Sequence, residues 1–298
     1  MSLSFGAEKP LIAVVLSSSI EPYREALQGF YDELRSRNIE FASAEVTIKG
    51  MDSGDLRLLL KKLNPSLVHA VGTKAAVLAK KEFKDIPIVF SMVLNPVASE
   101  VVRTMKSPGE NITGASMDIP LDLQFRYLKK ILPGVKKIGV VFSESETGVV
   151  VKAAGLAAKG RGLELITEAV EFPGDVPGAL GRLVGKVDCL WSVADSKVFT
   201  RETAREMLLV SLREKIPFIG LSPSFVKAGA LAAFKLDADD IGRQAASITG
   251  KVLKGRAPSV MPVSVPRKIK VVLNSNTIKL VGVKIPKDIF ASAELLIP

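Results

Sequence analysis

Residues that can bind a charged ligand come directly after the buried, strand-like segments of this sequence. The run from Cys189 to Ala194 ends in a carboxylate, Asp195, and a helical pattern follows it. Parallel strands covered on both faces are continuously apolar, so an acid at this point either caps a helix or binds a ligand. Open parallel sheets bind their ligands beyond the carboxyl ends of the strands, and polar residues repeated there predict a binding site.

The candidate ligand-binding residues carry hydroxyl, amide or carboxylate groups at the ends of predicted strands. They are Ser18, Thr73, Ser91 and Asn95 in the first part of the chain, and Ser143, Thr147, Asp195 and Ser222 in the second. Each of these residue types is also a common helix N-cap, which is the alternative for any one of them. Together they predict neutral donors from the first part of the chain and an acid from the second part. A small zwitterion fits that division, with its carboxylate on hydroxyl and helix N–H groups and its ammonium on Asp195.

Aromatic residues near strand ends are candidates to flank an apolar part of the ligand. Trp191 precedes Asp195 on its strand, and Phe90 and Phe142 lie at the ends of two other predicted strands. Burial of these rings in the core is the alternative, because large aromatic side chains dominate core packing.

Catalytic chemistry has little support in the residue inventory. The sequence has one Cys and one His, which excludes an internal disulfide and a zinc site built from His and Cys clusters. His69 lies inside the apolar run SLVHAV, which predicts a hydrogen-bonded core residue. A Walker loop is absent, GRGLEL from Gly160 lacks the third glycine of a dinucleotide loop, and GLSPS from Gly220 is an incomplete nucleophile elbow. We therefore expect no catalytic residue, no metal and no cofactor.

The charge balance is basic, with 41 Lys and Arg against 31 Asp and Glu and a net charge of +10. These charges are scattered as short lysine pairs, which is typical of solvated helix faces, and the 3 Tyr and 1 Trp offer little base stacking. We expect no nucleic-acid partner. No apolar stretch reaches membrane-spanning length, and no signal peptide precedes the first predicted strand, so an exported form implies that a leader was removed.

Strand-length apolar runs alternate with helical patterns along nearly the whole chain. This alternation predicts an α/β fold of two doubly wound, Rossmann-like parallel-sheet lobes. The turn-rich segment SPGENITGASMDIP places a domain boundary near 117–120, and the Pro-rich segment APSVMPVSVPRK predicts a crossing between domains. The predicted strands are 10–16, 39–47, 67–71, 87–91, 112–116, 136–142, 163–171, 187–194, 217–221, 229–234 and 268–273.

Several ordered segments resemble the ABC transporter substrate-binding proteins of the tryptophan/tyrosine type. The similar segments are NITGASMDIPLDLQFRYLKKILPGVKKIGVVFS, DIPIVFSMVLNPV, KIPFIGLSPSFVKAGALAAFKLDADDIGRQAASITGKVLKGRAPSVMPV and VVLNSNTIKLVGVKIPKDI, and in order and spacing they cover nearly the whole chain. The resemblance implies a type I periplasmic-binding fold with a ligand cleft between its lobes. One lobe is expected at 1–118 plus about 236–262, and the other at 119–235 plus about 263–298.

The resemblance also implies a function in transport. It implies an extracytoplasmic protein, periplasmic or membrane-anchored as a lipoprotein, that closes on a small ligand such as an aromatic or branched amino acid and delivers it to an ABC permease. It implies a monomer, with Asp195 on the acidic position of the second lobe and Thr73 and Asn95 near the ligand in the first. The family often carries Asp-Pro where this chain has Asn95–Pro96, which removes a negative charge beside the ligand.

Two other functions are compatible with the same strand and helix pattern. A ligand-sensing regulatory domain of this fold needs an output element, and no helix-turn-helix fits before a first strand that starts near residue 10. An α/β enzyme needs an acid–base pair or a metal cluster, which the residue inventory does not offer.

Overall fold

The structure, a computed structural model, describes residues 9–296, so the ends of the predicted lobes at 1–8 and 297–298 lie outside the described residues. The chain forms two compact units. Unit 1 consists of Met1–Asp118 and Leu236–Lys268, and unit 2 of Ile119–Lys235 and Ile269–Pro298. The chain thus passes between the units at residues 118–119, 235–236 and 268–269.

Strands and helices alternate as the hydrophobic pattern predicts. In chain order they are β1 Leu11–Leu16, α1 Glu21–Ser36, β2 Ala42–Thr47, α2 Ser53–Leu63, β3 Leu67–Val71, α3 Thr73–Glu82, β4 Ile88–Val93, β5 Ile112–Ser116, α4 Leu121–Ile131, β6 Lys137–Phe142, α5 Glu144–Lys159, β7 Glu164–Ala169, α6 Val176–Leu183, β8 Cys189–Trp191, α7 Arg201–Arg213, β9 Phe218–Gly220, α8 Pro223–Ala228, β10 Ala232–Leu236, α9 Ala238–Leu253, β11 Ile269–Asn274, α10 Ser275–Val281, α11 Lys287–Ser292 and β12 Glu294–Leu296.

Each unit is built on one parallel sheet. Unit 1 has a 5-stranded sheet in the order β2-β1-β3-β4-β5, and the second sheet has 7 strands in the order β12-β11-β10-β9-β8-β6-β7. The α/β fold and its two parallel-sheet lobes are confirmed. The sequence missed only β12 among the strands of the described residues, because its three residues are too short to show a pattern.

The central strands form because their side chains are apolar on both faces, whereas the edge strands β2 and β7 are largely exposed. Every residue of β3 and of β4 is buried, and the sheet of unit 1 has a separate apolar cluster on each side. Helices α1 and α9 cover one side and pack closely together. A Cβ at Gly242 in α9 would collide with the backbone of Ala26 in α1, so glycine permits this close helix contact.

The segment 263–268 belongs to unit 1, whereas the sequence placed it in the second lobe. It lies beside β5: Ser264 N–H donates to the Gly114 carbonyl at 2.8 Å, and Ser116 N–H donates to the Ser264 carbonyl at 2.8 Å. Val263 N–H also donates to the Met105 carbonyl at 2.8 Å. These long-range backbone hydrogen bonds have no local sequence signal, which explains the difference.

Candidate functional site

The carboxyl edge of the unit 1 sheet includes a glycine that side chains enclose tightly. Gly72 joins β3 to α3 with a φ of 91°, a conformation that favours glycine. A Cβ at this position would lie 2.7 Å from Ser17 Oγ and 2.8 Å from two ring carbons of Tyr23. Gly72 therefore allows Ser17 and Tyr23 to approach the start of α3.

The amino terminus of α3 has uncommitted backbone donors. The N-cap residue, Gly72, has no side chain, and Ser17 Oγ instead accepts a hydrogen bond from Ala75 N–H at 2.9 Å. The N–H groups of Thr73 and Lys74 donate to no acceptor within residues 9–296. Free N–H groups at a helix start, together with the helix dipole, favour an anion such as a carboxylate.

Two hydroxyl groups beside α3 are also available. Ser18, a predicted site residue, is partly buried, and its hydroxyl makes no hydrogen bond within the described part of the chain. Tyr23 is partly buried as well, and burial raises the pKa of its phenol, so the hydroxyl stays protonated and can donate. The sequence missed Tyr23 because it lies within the amphipathic pattern of α1, where an aromatic residue indicates core packing.

Ser91 does not belong to this open edge. It is fully buried and its hydroxyl lies 3.3 Å from Nε2 of His69, whose Nδ1 donates to the Val89 carbonyl at 3.1 Å. The imidazole stacks on Phe30 with 3.9 Å between ring centroids. Burial lowers the pKa of His69 to about 3, although the hydrogen bond to Val89 opposes this shift. His69 is a hydrogen-bonded core residue as predicted, and Ser91 is its partner inside the core.

Asn95 and Asp118 meet at the ends of β4 and β5. The backbone N–H of Asn95 donates to Asp118 Oδ1 at 2.9 Å, and Asn95 has a φ of 46°. The Asn95 side chain is exposed and makes no hydrogen bond within residues 9–296. From the sequence, we predicted only neutral donors, and no acid, at the strand ends of the first lobe. Asp118 is such an acid, and it was missed because it was assigned to the boundary loop.

Three predicted residues of unit 2 are joined in one hydrogen-bond network around Asp195. Asp195 Oδ2 accepts from Ser143 N–H at 2.7 Å, from Ser143 Oγ at 2.8 Å and from Thr147 Oγ1 at 2.6 Å. Asp195 Oδ1 accepts from the N–H groups of Lys197 at 3.1 Å and Val198 at 3.2 Å. Asp195 is 2% exposed. The network ties the end of β6 and the start of α5 to the loop after β8.

Hydrogen bonding keeps the Asp195 carboxyl group ionised. Burial acts to raise its pKa, but the hydrogen bonds from Thr147, Ser143 and Val198 outweigh burial and hold the pKa below its usual range. A second carboxylate supports the same loop, since Glu146 accepts from the N–H and the hydroxyl of Ser196 at 2.7 Å each. Asp195 therefore holds the turn at 197–198, whereas the next helix, α7, has Thr200 as its N-cap, so Asp195 is not the helix cap that one of the two interpretations predicts.

Ser222 is the predicted residue of unit 2 with an uncommitted side chain. It lies between β9 and α8, is partly buried, and its hydroxyl makes no hydrogen bond in the described part of the chain. Its carbonyl accepts from the N–H of Phe225 at 3.0 Å. The Ser222 hydroxyl can therefore donate to a ligand.

The three aromatic candidates lie in the cores. Phe90 is fully buried in unit 1, and Phe142 and Trp191 belong to the main apolar cluster of unit 2. The indole of Trp191 donates to Gln124 Oε1 at 3.1 Å and packs against Phe125 with 5.2 Å between ring centroids. These three side chains are therefore packed in the core, which was the alternative to contact with the ligand.

Among residues 9–296, no three His, Cys, Asp or Glu side chains are grouped so that they could hold a metal ion. A search of the same residues found no helix with the length and apolar character needed to cross a membrane. The uncommitted polar groups are backbone donors, hydroxyls, an amide and a carboxylate, which suit reversible binding of a polar ligand.

Two parallel-sheet units with polar groups at the carboxyl edges of the strands define a ligand-binding protein of the type I periplasmic-binding class. The model of the family "ABC transporter substrate binding protein" matches residues 12–297, so the chain belongs to this family. The family comprises substrate-binding proteins and not enzymes, as the residue inventory predicted.

Individual relatives agree with this assignment. A tyrosine-binding protein of Clostridioides difficile (strain R20291) is 29% identical over 215 residues, which are 72% of this chain and 62% of that relative. The chain thus spans less than two thirds of the length of this relative. In fold, it is similar to the ligand-free, open structure of a substrate binding protein with adhesive properties from Clostridium difficile, with a TM-score of 0.78, 23% identity and coverage of 96% and 99% of the two chains.

A further solved structure is an ABC domain in complex with L-Trp from Streptococcus pneumonia. It is 25% identical to this chain, with a TM-score of 0.59 and coverage of 97% of this chain and 100% of the other.

Proposed function

We propose that this protein is the extracytoplasmic solute-binding component of an ABC importer and that it binds an aromatic or branched amino acid. The family match supports the transport role. The tyrosine-binding relative and the complex with L-Trp support the class of ligand. The protein works as a monomer, periplasmic or anchored as a lipoprotein, and passes its ligand to a membrane permease.

The uncommitted N–H groups of Thr73 and Lys74 carry the proposal that the ligand has a carboxylate. The hydroxyls of Ser18 and Tyr23 lie on elements next to this helix start and add neutral donors. Hydrogen bonds from neutral donors to a charged acceptor contribute about 1.5–3 kcal/mol each. An α-carboxylate on α3 therefore gains several strong interactions from neutral donors.

Unit 2 contributes through Ser222 and through the shape that the Asp195 network maintains. The Ser222 hydroxyl makes no hydrogen bond within residues 9–296, whereas the side chains of Ser143 and Thr147 donate to Asp195. The mechanism we propose is hinge closure, in which ligand groups satisfied by both units stabilise a closed form. Small-angle X-ray scattering tests this step, because closure decreases the radius of gyration when a binding amino acid is added.

A thermal-shift panel of the common amino acids tests the ligand class. A ligand that binds only the folded state, at about 100 times its Kd, stabilises the protein by about 2.7 kcal/mol. We expect a raised Tm with aromatic or branched amino acids and none with the acidic and basic ones. If every amino acid leaves the Tm unchanged, the proposed function is rejected.

A pair of substitutions at Thr73 tests the role of the helix N–H groups. Proline is compatible with the first position of a helix, so Thr73→Pro deletes one donor while it leaves α3 in place. Thr73→Val is the matched control, because it removes the hydroxyl and keeps the N–H. By titration calorimetry, we expect Thr73→Pro to weaken binding about 10- to 100-fold relative to Thr73→Val. Equal affinities of the two variants would contradict the carboxylate site on α3.

A further inference from the structure

Asp195, the acid that the sequence predicts to bind the ligand, has no hydrogen-bond acceptor capacity left for a ligand. Asp195 accepts five hydrogen bonds, from Ser143 N–H, Ser143 Oγ, Thr147 Oγ1, Lys197 N–H and Val198 N–H. A carboxylate offers about four lone-pair directions. An ammonium group at Asp195 would therefore have to displace donors that come from the protein itself.

Asp118 is in a different situation. It is the second residue after β5, is partly buried, and uses one carboxylate oxygen to accept from the N–H of Asn95 at 2.9 Å. Its own N–H donates to Ser116 Oγ at 2.9 Å, which holds the residue in place. Within residues 9–296, no cationic side chain pairs with Asp118, and its second oxygen accepts no hydrogen bond. A partly buried carboxylate with a free oxygen favours a cation.

A short series of contacts connects Asp118 to the amino terminus of α3. Thr73 Oγ1 accepts from Leu94 N–H at 3.4 Å, and Asp118 Oδ1 accepts from the next backbone N–H, that of Asn95. The two side chains are thus bound to consecutive peptide groups of one loop. In an α-amino acid, a single carbon separates the carboxylate from the ammonium, so neighbouring sites of opposite charge preference suit such a ligand.

The loop between these sites has a defined conformation. Asn95 has a φ of 46°, and its carbonyl accepts from Ser99 N–H at 2.8 Å. The exposed Asn95 side chain adds an amide oxygen on the same loop as the N–H that binds Asp118. An ammonium group has three donors and accepts none, so a carboxylate and an amide oxygen are suitable partners.

We propose that Asp118, assisted by the side-chain oxygen of Asn95, binds the ammonium group of the ligand, and that Asp195 holds the loops of unit 2. This inference rests on the proposed function. It assigns both charged groups of the amino acid, the carboxylate and the ammonium, to unit 1. Contacts from unit 2 are then made mainly with the side chain of the ligand.

The test compares amino acids with acids that lack only the amino group. The probes are L-tryptophan with indole-3-propanoate, L-tyrosine with 3-(4-hydroxyphenyl)propanoate, L-phenylalanine with 3-phenylpropanoate, and L-leucine with 4-methylpentanoate. Asp118→Asn is the main variant, because an amide oxygen can still accept from Asn95 N–H while the charge is lost. We expect this variant to bind the amino acids about 10- to 100-fold more weakly than the unsubstituted protein does. Its affinity for the deaminated partners should be unchanged.

Two further variants separate an ammonium site from a structural role. Asp118→Glu keeps the charge and is expected to recover part of the affinity for amino acids. Asp195→Asn is expected to lower the Tm and to reduce the affinity for both members of each probe pair by the same factor. If Asp118→Asn weakens both members equally or neither, the assignment of Asp118 is overturned while the proposed function stands. If the unsubstituted protein binds none of the four amino acids, both proposals are rejected.

Discussion

Replacement of the single histidine is expected to remove most of the acid sensitivity of this protein between about pH 7 and about pH 5. His69 is fully buried, stacks on Phe30 and has a pKa lowered to about 3 by burial. In the unfolded chain, the same group titrates near 6.5. Below that pH, the unfolded state binds a proton that the folded state does not, so stability falls as the pH falls.

The size of this effect follows from the two pKa values. The stability that neutral His69 contributes is fully present above pH 6.5 and is lost progressively as the pH falls toward about 3. Each pH unit in this window changes the free energy of unfolding by about 1.36 kcal/mol. Acidification to about pH 5 covers roughly 1.5 units and costs about 2 kcal/mol.

Urea unfolding monitored by circular dichroism at the two pH values measures this difference. Carboxylates with ordinary pKa values remain ionised at both, and His69 is the only histidine, so the contrast isolates one group. In His69→Asn, an amide replaces Nδ1 and can still donate to the Val89 carbonyl. The variant is expected to be less stable overall, because it loses the stacking on Phe30, but nearly insensitive to pH in this range.

Ser91→Ala is the matched control. It removes the hydroxyl that lies 3.3 Å from Nε2 and keeps the imidazole, so the loss of about 2 kcal/mol on acidification is expected to remain. If His69→Asn retains the same pH difference as the unsubstituted protein, burial of the imidazole is not its cause.

Three other substitutions or reactions test the local geometry. Asp195→Asn replaces a charged acceptor of five hydrogen bonds and is expected to lower the free energy of unfolding by about 3 kcal/mol near neutral pH. Its lowered pKa means that this contribution is present above pH 3.8 and is lost as the pH falls through the folded pKa, so variant and parent should converge in strong acid. Gly72→Ala forces a φ of 91° on a residue whose Cβ would lie 2.7 Å from Ser17 Oγ, and a loss of about 1–3 kcal/mol in denaturant unfolding is expected; an unchanged midpoint would contradict this account. Burial, with the nearby Asp188 charge, raises the pKa of Cys189, so a chromogenic disulfide reagent should label this thiol only after unfolding, and rapid labelling of the folded protein would show that the site opens.

The fold was largely predictable because its signals are local. The apolar runs of β3 and β4 and the helical pattern of α1 lie within single segments, so periodicity identified them. The short strand β12 and the place of residues 263–268 beside β5 were not predictable in the same way. Both depend on backbone pairing with distant segments, and such pairing leaves no pattern in the paired sequence itself.

The candidate site was only partly predictable. The sequence identified Thr73, Asn95 and Ser222 from their places after strands, and these residues have exposed or uncommitted groups in the structure. It could not distinguish Ser91, which follows the same rule and is bonded to His69 in the core. The sequence analysis also missed Asp118, because its position in a predicted boundary loop does not indicate which residues lie near it in the folded protein.

The sequence by itself determined the α/β class, the alternation of strands and helices and the family, because these follow from composition, periodicity and ordered segments of one chain. The tertiary structure alone decided which polar groups remain free. Within residues 9–296, five donors from two segments, residues 143–147 and 197–198, occupy Asp195, whereas one donor, from Asn95, occupies Asp118. Hydrogen-bond capacity is used up by neighbours in space, and those neighbours are far apart along the chain.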